Sequence, residues 1–200
     1  MPYTKEHKRK SRERILHSAS RLFSRRGYDA VSLDDVMADA GLTRGAFYNH
    51  FRNKADLYAQ AIPHAAMNNE IGKDLVTREP TRESLDCLVE RYLSREHIED
   101  ADPPCPLAFL ATDVGIRDEG VRNAYTRMHG ELVRLLRRAV SEGGTDAAHD
   151  DALAVTALLI GGVAVGRALN DPDAVEALLT SCRGAARKLL ASPPNPVSRD

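Results

Sequence analysis

Tryptophan is absent from this 200-residue chain, and Phe and Tyr together number only ten. With so few rings in the chain, any short segment that gathers several of them calls for an explanation. The three cysteines have no CxxC spacing. That argues against a disulfide framework or a zinc site and fits a reducing cytoplasm. The longest uncharged apolar run, Ala152 to Gly166, has fifteen residues, short of the roughly 20 that a membrane helix needs. It is expected to be a buried or interface helix, with no membrane as partner. Residues 1–14 are polar and basic with no apolar stretch behind them, which is not the layout of a signal peptide. HExxH, GxSxG and phosphate-loop patterns are missing, and His64, His97, His129 and His149 are scattered. Neither catalysis nor a metal or cofactor is expected.

What is present begins with charge. The formal net charge is −1, but it is unevenly spread. Residues 1–58 hold 12 Lys/Arg against 7 Asp/Glu, and residues 59–200 hold 16 against 22. A basic module joined to an acidic one follows. Helical periodicity runs almost throughout, and the fold class is all-α with about nine helices. Ile15, Leu16, Ala19, Leu22 and Phe23 share one face of a helix closed by Gly27. Ser32 starts the next, with Asp35 placed for a capping box, and Leu33, Val36, Met37 and Ala40 are apolar at helical spacing. Thr43 precedes a short helix over 44–50, and Asn53 one running from 54 towards 77. Further helices are expected at 81–99, 106–116, 118–142, 147–170 and 172–190. Breaks fall at Pro103-Pro104, Gly143-Gly144 and Pro172. Three domains are drawn: residues 1–53 with a basic N-terminal arm, residues 54–191, and a tail over 192–200 expected to be disordered.

The segment "GLTRGAFYNHF", residues 41–51, concentrates three of the ten aromatic residues. A capped helix, a glycine turn and a second short helix form a helix-turn-helix pattern, whose second helix enters a DNA major groove N-terminus first. Thr43, Arg44 and Gly45 would lead. Arg reads guanine edges or phosphates, Thr donates to a phosphate, and Gly lets the backbone come close. Phe47 and Phe51, four apart, would anchor the helix from behind. Tyr48 would face outward, with Asn49 and His50 as further phosphate contacts. Lys54 begins the fourth helix, where the dipole favours an anion. The run "KEHKRKSRER", residues 5–14, would track the DNA backbone or enter a minor groove. The same residues also suit a small structural bundle with solvated charges.

Residues 10–60 closely resemble the tetracycline-repressor (TetR) family of bacterial regulators. The likeness lies in "LFSRRGY", Val31-Ser32, Val36, Ala40-Gly41-Leu42, Gly45, Phe47-Tyr48, Phe51, Lys54 and Leu57. The resemblance implies an all-helical homodimer that binds DNA through its third helix, and a variable C-terminal domain that binds a small molecule. It carries the family's DNA-contacting positions onto Ser32, Thr43, Arg44, Tyr48, His50 and Lys54. Thr43 and Arg44 stand where family members often have Ser and Lys.

In the acidic half, the resemblance implies that the last two helices pair with their copies in a four-helix interface. The apolar girth of residues 152–166 agrees. Leu158, Gly162, Val165, Val175, Leu178 and Cys182 are the candidate interface positions. Tyr92, Cys105, Phe109, Tyr125, Met128 and His129 are candidates for lining a pocket, although their spacing equally suits ordinary core. Cys105 precedes Pro106 at an expected helix start, where a thiol can gain thiolate character. Some family members with a similar "CP" sense oxidants or electrophiles there. The alternative is a small buried side chain. Cys87 and Cys182 fall at apolar helical positions and are read as structural. The function expected is a repressor, bound to a palindromic double-stranded operator and released by a small-molecule effector. The alternatives are redox sensing through Cys105 and a helical interaction module without specific DNA binding.

Overall fold

The computed structural model describes residues 5–77, 81–99, 104–140 and 146–191. Every regular element among them is a helix: α1 (Lys5–Arg26), α2 (Leu33–Asp39), α3 (Arg44–Phe47), α4 (Lys54–Asn68), α5 (Glu70–Thr77) and α6 (Arg82–Tyr92). They are followed by α7 (Arg95–Glu99), α8 (Pro106–Phe109), α9 (Ala111–Val114), α10 (Glu119–Val140), α11 (Asp146–Gly166) and α12 (Pro172–Ala191). The all-α expectation holds. Twelve helices replace nine because three expected segments are each broken once. At Asn69 the backbone turns extended (φ −75°, ψ 159°). The Asn69 backbone N–H and side-chain amide both donate to the Ala65 carbonyl at 3.0 Å. The other breaks lie at Leu93 and Leu110, both out of helical geometry. Pro103, Gly143, Gly144 and the expected tail 192–200 lie outside the described residues.

Two compact units emerge, Met1–Asn69 with Asp102–Met128, and Glu70–Ala101 with His129–Asp200. They divide the chain elsewhere than at residue 53. The first unit's core joins Ile15, Phe23, Val36, Phe47, Leu57 and Ile62 to Leu110, Val114, Val121 and Ala124. Residues between 110 and 124 thus complete the packing of the N-terminal helices.

In the second unit α11 and α12 form a helical hairpin, with α6 and α7 against it. The approach is close. A Cβ on Gly162 would lie 2.6 Å from Leu93 Cδ2, so glycine is what admits α6 there. Arg183 donates to the Leu93 carbonyl at 2.7 Å and to Glu176 at 2.6 Å, and Arg187 pairs with Glu90 at 2.6 Å. The stretch Ala148–Gly166 within α11 is 19 residues and is long and apolar enough to cross a membrane by length and composition alone. The 15-residue count from the sequence is corrected to that extent, because Ala148 to Asp151 continue the helix. Val155, Leu159 and Val163 are buried in the unit's own core.

Candidate nucleic-acid interface

The frame of the helix-turn-helix is built from short-range hydrogen bonds. Ser32 accepts from the Asp35 N–H at 3.0 Å, and Asp35 accepts from the Ser32 N–H at 2.8 Å. This closes the expected capping box. The Ser32 hydroxyl also donates to Asp35 at 2.7 Å. Those bonds hold the Asp35 carboxyl below its ordinary range. At the far end of α2, Gly41 takes φ +61°. The Leu42 N–H donates to the Met37 carbonyl at 2.9 Å and the Gly41 N–H to Ala38 at 3.0 Å, the pair of bonds of a Schellman motif. A side chain at 41 would need a strained φ and would meet Arg14 Nη2 at 2.7 Å. Ser18 donates to Asp39 at 2.6 Å and Arg21 pairs with the same carboxylate, tying α2 to α1. Asn53 caps α4 by accepting from the Asp56 N–H at 2.8 Å.

On this frame the recognition segment is shorter than expected. Regular helix covers Arg44–Phe47. Residues 48–50 follow as a tighter turn, with the His50 N–H on the Phe47 carbonyl at 2.9 Å. Phe47 and Phe51 are buried, 5.7 Å apart between ring centres. Tyr48 stands edge-on to Phe47 and is 63% exposed. The division of aromatics by face is as the spacing predicts.

The candidate contacts then sort by what holds them. Thr43 sits at the N-cap of α3 and its hydroxyl makes no capping bond. Gly45 has open space where a Cβ would be. Thr43, Arg44, Tyr48 and Asn49 are exposed. Arg44 is not solvated alone. It pairs with Asp34 at 2.7 Å, both side chains 60% exposed. An exposed pair contributes little, so a phosphate or base edge can displace it. His50 is half-buried with Nδ1 unpartnered among the described residues. Burial first, then Lys8 and Arg12, push its pKa below the usual value, so it offers a dipole and no charge near neutrality. The basic run expected as an arm is the first turns of α1 from Lys5 onward. Arg12 lies 5.5 Å from the Phe51 ring centre, which puts that basic face beside the recognition segment. Lys54, first residue of α4, is half-buried, with Nζ 4.1 Å from the centre of the Tyr28 ring. Burial lowers its pKa.

Periodicity did not find the residues that support this surface. Arg117 donates to both oxygens of Asp29, at 3.0 and 2.7 Å, and to Asp113 at 2.8 Å. Tyr58 donates to Asp113 at 2.5 Å. Each pairing other than Arg117 with Asp113 spans more than fifty residues, and no local pattern announces it.

The expected ligand-lining residues do not fall in one unit. Cys105, Phe109, Tyr125 and Met128 belong to the first, Tyr92 and His129 to the second. Cys105 is buried at the start of the four-residue α8 and makes no capping bond. Tyr125 donates to the Leu107 carbonyl at 2.7 Å, and burial, then Cys105, push its pKa up to about 12. Tyr92 is buried edge-on to His97, whose Nδ1 lies 2.6 Å from the Tyr92 carbonyl. A cleft of about 560 Å³ in the first unit is lined by polar groups including Glu13, His17, Asp39 and His64, and by none of the expected ligand residues. Among the expected dimer positions, Gly162 and Val175 are buried in the chain's own packing, Leu158, Leu178 and Cys182 are half-buried, and Val165 is exposed. Cys87 is exposed on α6, against its reading as a structural core residue.

Residues 15–61 match the family described as bacterial regulatory proteins, tetR family. The uncharacterized HTH-type transcriptional regulator YxaF of Bacillus subtilis is 25% identical over 137 residues, 67% of this chain and 72% of that protein. The HTH-type transcriptional regulator AcrR of Shigella flexneri is 44% identical over 57 residues, 28% of this chain and 26% of that one. The fold of the E. coli NemR reduced form superposes with a TM-score of 0.74 at 19% identity, over 92% of this chain and 99% of that one.

Proposed function

We propose that the chain is a transcriptional regulator of the tetR family, whose model matches residues 15–61, and that it is a cytoplasmic homodimeric repressor released from a palindromic operator by a small molecule. One observation carries the reading. Thr43, Arg44 and Tyr48 are exposed together while Phe47 and Phe51 are locked behind them, as groove entry by the first turn of a short helix requires. Arg44 is the proposed base reader. Thr43, Tyr48, Asn49 and Lys54 are proposed backbone contacts, with Ser32 beside them as the cap that orients α2.

Dimerisation supplies the second recognition helix, roughly 34–36 Å from the first on a palindrome. The proposed dimer face is the outer side of α11 and α12. Leu153 and Val165 are 39% and 50% exposed there, and Gly161 and Gly184 have open space at their Cβ positions. The charged side of α12, with Arg183 and Arg187, is turned to α6. Small residues facing outward suit close approach of a second helix pair.

Selection of fragments from genomic DNA by the purified protein tests the assignment. A shared two-fold symmetric motif is expected, with log affinity falling by roughly 0.9 per log unit of salt for each phosphate neutralised. Unenriched fragments and a flat salt response would sink it. A second reading draws on NemR, a structural neighbour named in its reduced form: Cys105 would sense oxidants or electrophiles. Cys105 is buried, so a reagent reaches it only after local opening. Cys105→Ser should then hold DNA in the presence of an electrophile that releases the parent. Equal release would eliminate the redox reading and leave the repressor one intact.

A further inference from the structure

Lys54 is a flexible side chain that must lose rotamer freedom to grip a phosphate. Its ammonium is already held. Nζ stands 4.1 Å from the centre of the Tyr28 ring, within the range of a cation–π contact. The ring is itself fixed, 5.9 Å from Phe23, stacked, and 5.1 Å from Tyr58. Its backbone N–H donates to Asp113 at 3.4 Å. Arg117 Cζ lies 4.6 Å from the same ring centre.

Three carboxylates act on Lys54: Asp35, held in the Ser32 capping box, and two others, Asp29 and Asp113. Either would draw the ammonium into an ion pair and away from DNA. Both are occupied: Arg117 binds Asp29 through two hydrogen bonds and Asp113 through a third. The side chain of Arg117 is largely enclosed, 13% exposed. It comes from the 113–117 stretch, not from the helix-turn-helix.

We propose that Tyr28 is a positioning residue for DNA-backbone binding, its ring holding the Lys54 ammonium at the start of α4 while Arg117 keeps Asp29 and Asp113 from capturing it. The inference rests on Lys54 being a phosphate contact. It adds that the contact depends on a ring outside the recognition segment and on an arginine some sixty residues beyond Lys54 in the chain.

The test is the salt dependence of binding of the full chain to a random-sequence 30-bp duplex, followed by fluorescence anisotropy. Lys54→Gln should make the log–log slope shallower by about 0.9, one phosphate's worth. Tyr28→Leu should make it shallower by a similar amount and add nothing on top of Lys54→Gln. Tyr28→Phe should keep the parent slope, because the ring face remains. Pentafluorophenylalanine at position 28 keeps the ring's shape and reverses its electrostatic face; it should show the shallower slope expected of the Leu variant, and it keeps the test readable if that variant fails to fold. Arg117→Gln should lower the slope, and Asp29→Asn added to it should restore most of it. A parent slope in the pentafluorophenylalanine protein, alongside a lowered slope in Lys54→Gln, overturns the positioning role alone. An unchanged slope in Lys54→Gln, or a flat parent, overturns the phosphate reading of Lys54 and the inference with it.

Discussion

Around α3 the exposed side chains are polar and the apolar ones lie behind them, whereas on α11 and α12 part of the apolar set faces outward. The first surface is finished on its inner side. Phe47, Phe51, Met37 and Val36 are all buried, and what remains outside is polar, Arg44 with its partner Asp34 included. The second turns Arg183 and Arg187 to the chain's own α6 and leaves Leu153, Val165 and the open Gly161 to solvent. A polar front on a rigid apolar back suits a hydrated, anionic partner whose grip weakens with salt. An apolar front suits a partner that is itself apolar, and a second copy supplies one.

If that contrast is right, the largest effect should come from charging the apolar front. Val165→Glu places a carboxylate at a half-exposed position, so the monomer should fold. It should sediment as a monomer, and operator affinity should fall on the order of 10²-fold or more as two-site engagement is lost. A dimeric Val165→Glu protein with parent affinity would remove α11 from the interface. On the other surface, Phe47→Ala attacks the back of the recognition segment. A fully buried Phe costs about 3–5 kcal/mol when cut to Ala, readable by urea unfolding, and DNA binding should fall with it. A loss below about 1 kcal/mol would mean the segment is not anchored through that ring. Arg44→Ala acts on the front alone. It should cost about 1–3 kcal/mol on the operator with little change in unfolding. An equal loss on random DNA would make Arg44 a phosphate contact, and an unchanged operator affinity would leave it paired with Asp34 for good.

What could be read from sequence differs between the two surfaces for a physical reason. Ser32 with Asp35, Gly41 with the end of α2, Asn53 with Asp56, and Phe47 with Phe51 are all relations within four residues, and helix geometry fixes them once the helices form. The cluster joins Tyr28 to Asp113 and Asp29 to Arg117, 85 and 88 residues apart in the chain, and only the assembled core of the first unit brings them together. For the same reason the grouping of residues 102–128 with the N-terminal helices left no trace in periodicity. In α11 an apolar spacing marks Gly162 and Val165 alike. It does not say that the first meets Leu93 of the same chain while the second faces out. The break at Asn69 lies in the backbone torsions of one residue, which apolar periodicity does not register.

The smallest effect expected is on pH, and buried histidines carry it in both regions. In the second unit His97 is buried, and burial, with Arg91 adding to it, lowers its pKa below the ordinary 6.5 despite the bond to the Tyr92 carbonyl. Above pH 6.5 both folded and unfolded His97 are neutral, and it adds no pH dependence. Below that value the unfolded chain takes up a proton that the folded chain refuses, so stability falls as pH falls, until the depressed folded value is reached. Over that window one proton is worth up to about 1.4 kcal/mol per pH unit. His64 and His50, in the first unit, are also lowered by burial and act in the same direction. The carboxylates of Asp39 and Asp113 are held below their ordinary 3.8, so their contribution is lost only in stronger acid. Between pH 7 and 5, then, the histidines should account for most of the slope in thermal stability. His97→Gln, which keeps a donor for the Tyr92 carbonyl, should flatten that slope. A variant as acid-sensitive as the parent would show that His97 titrates no differently in the folded chain than in the unfolded one.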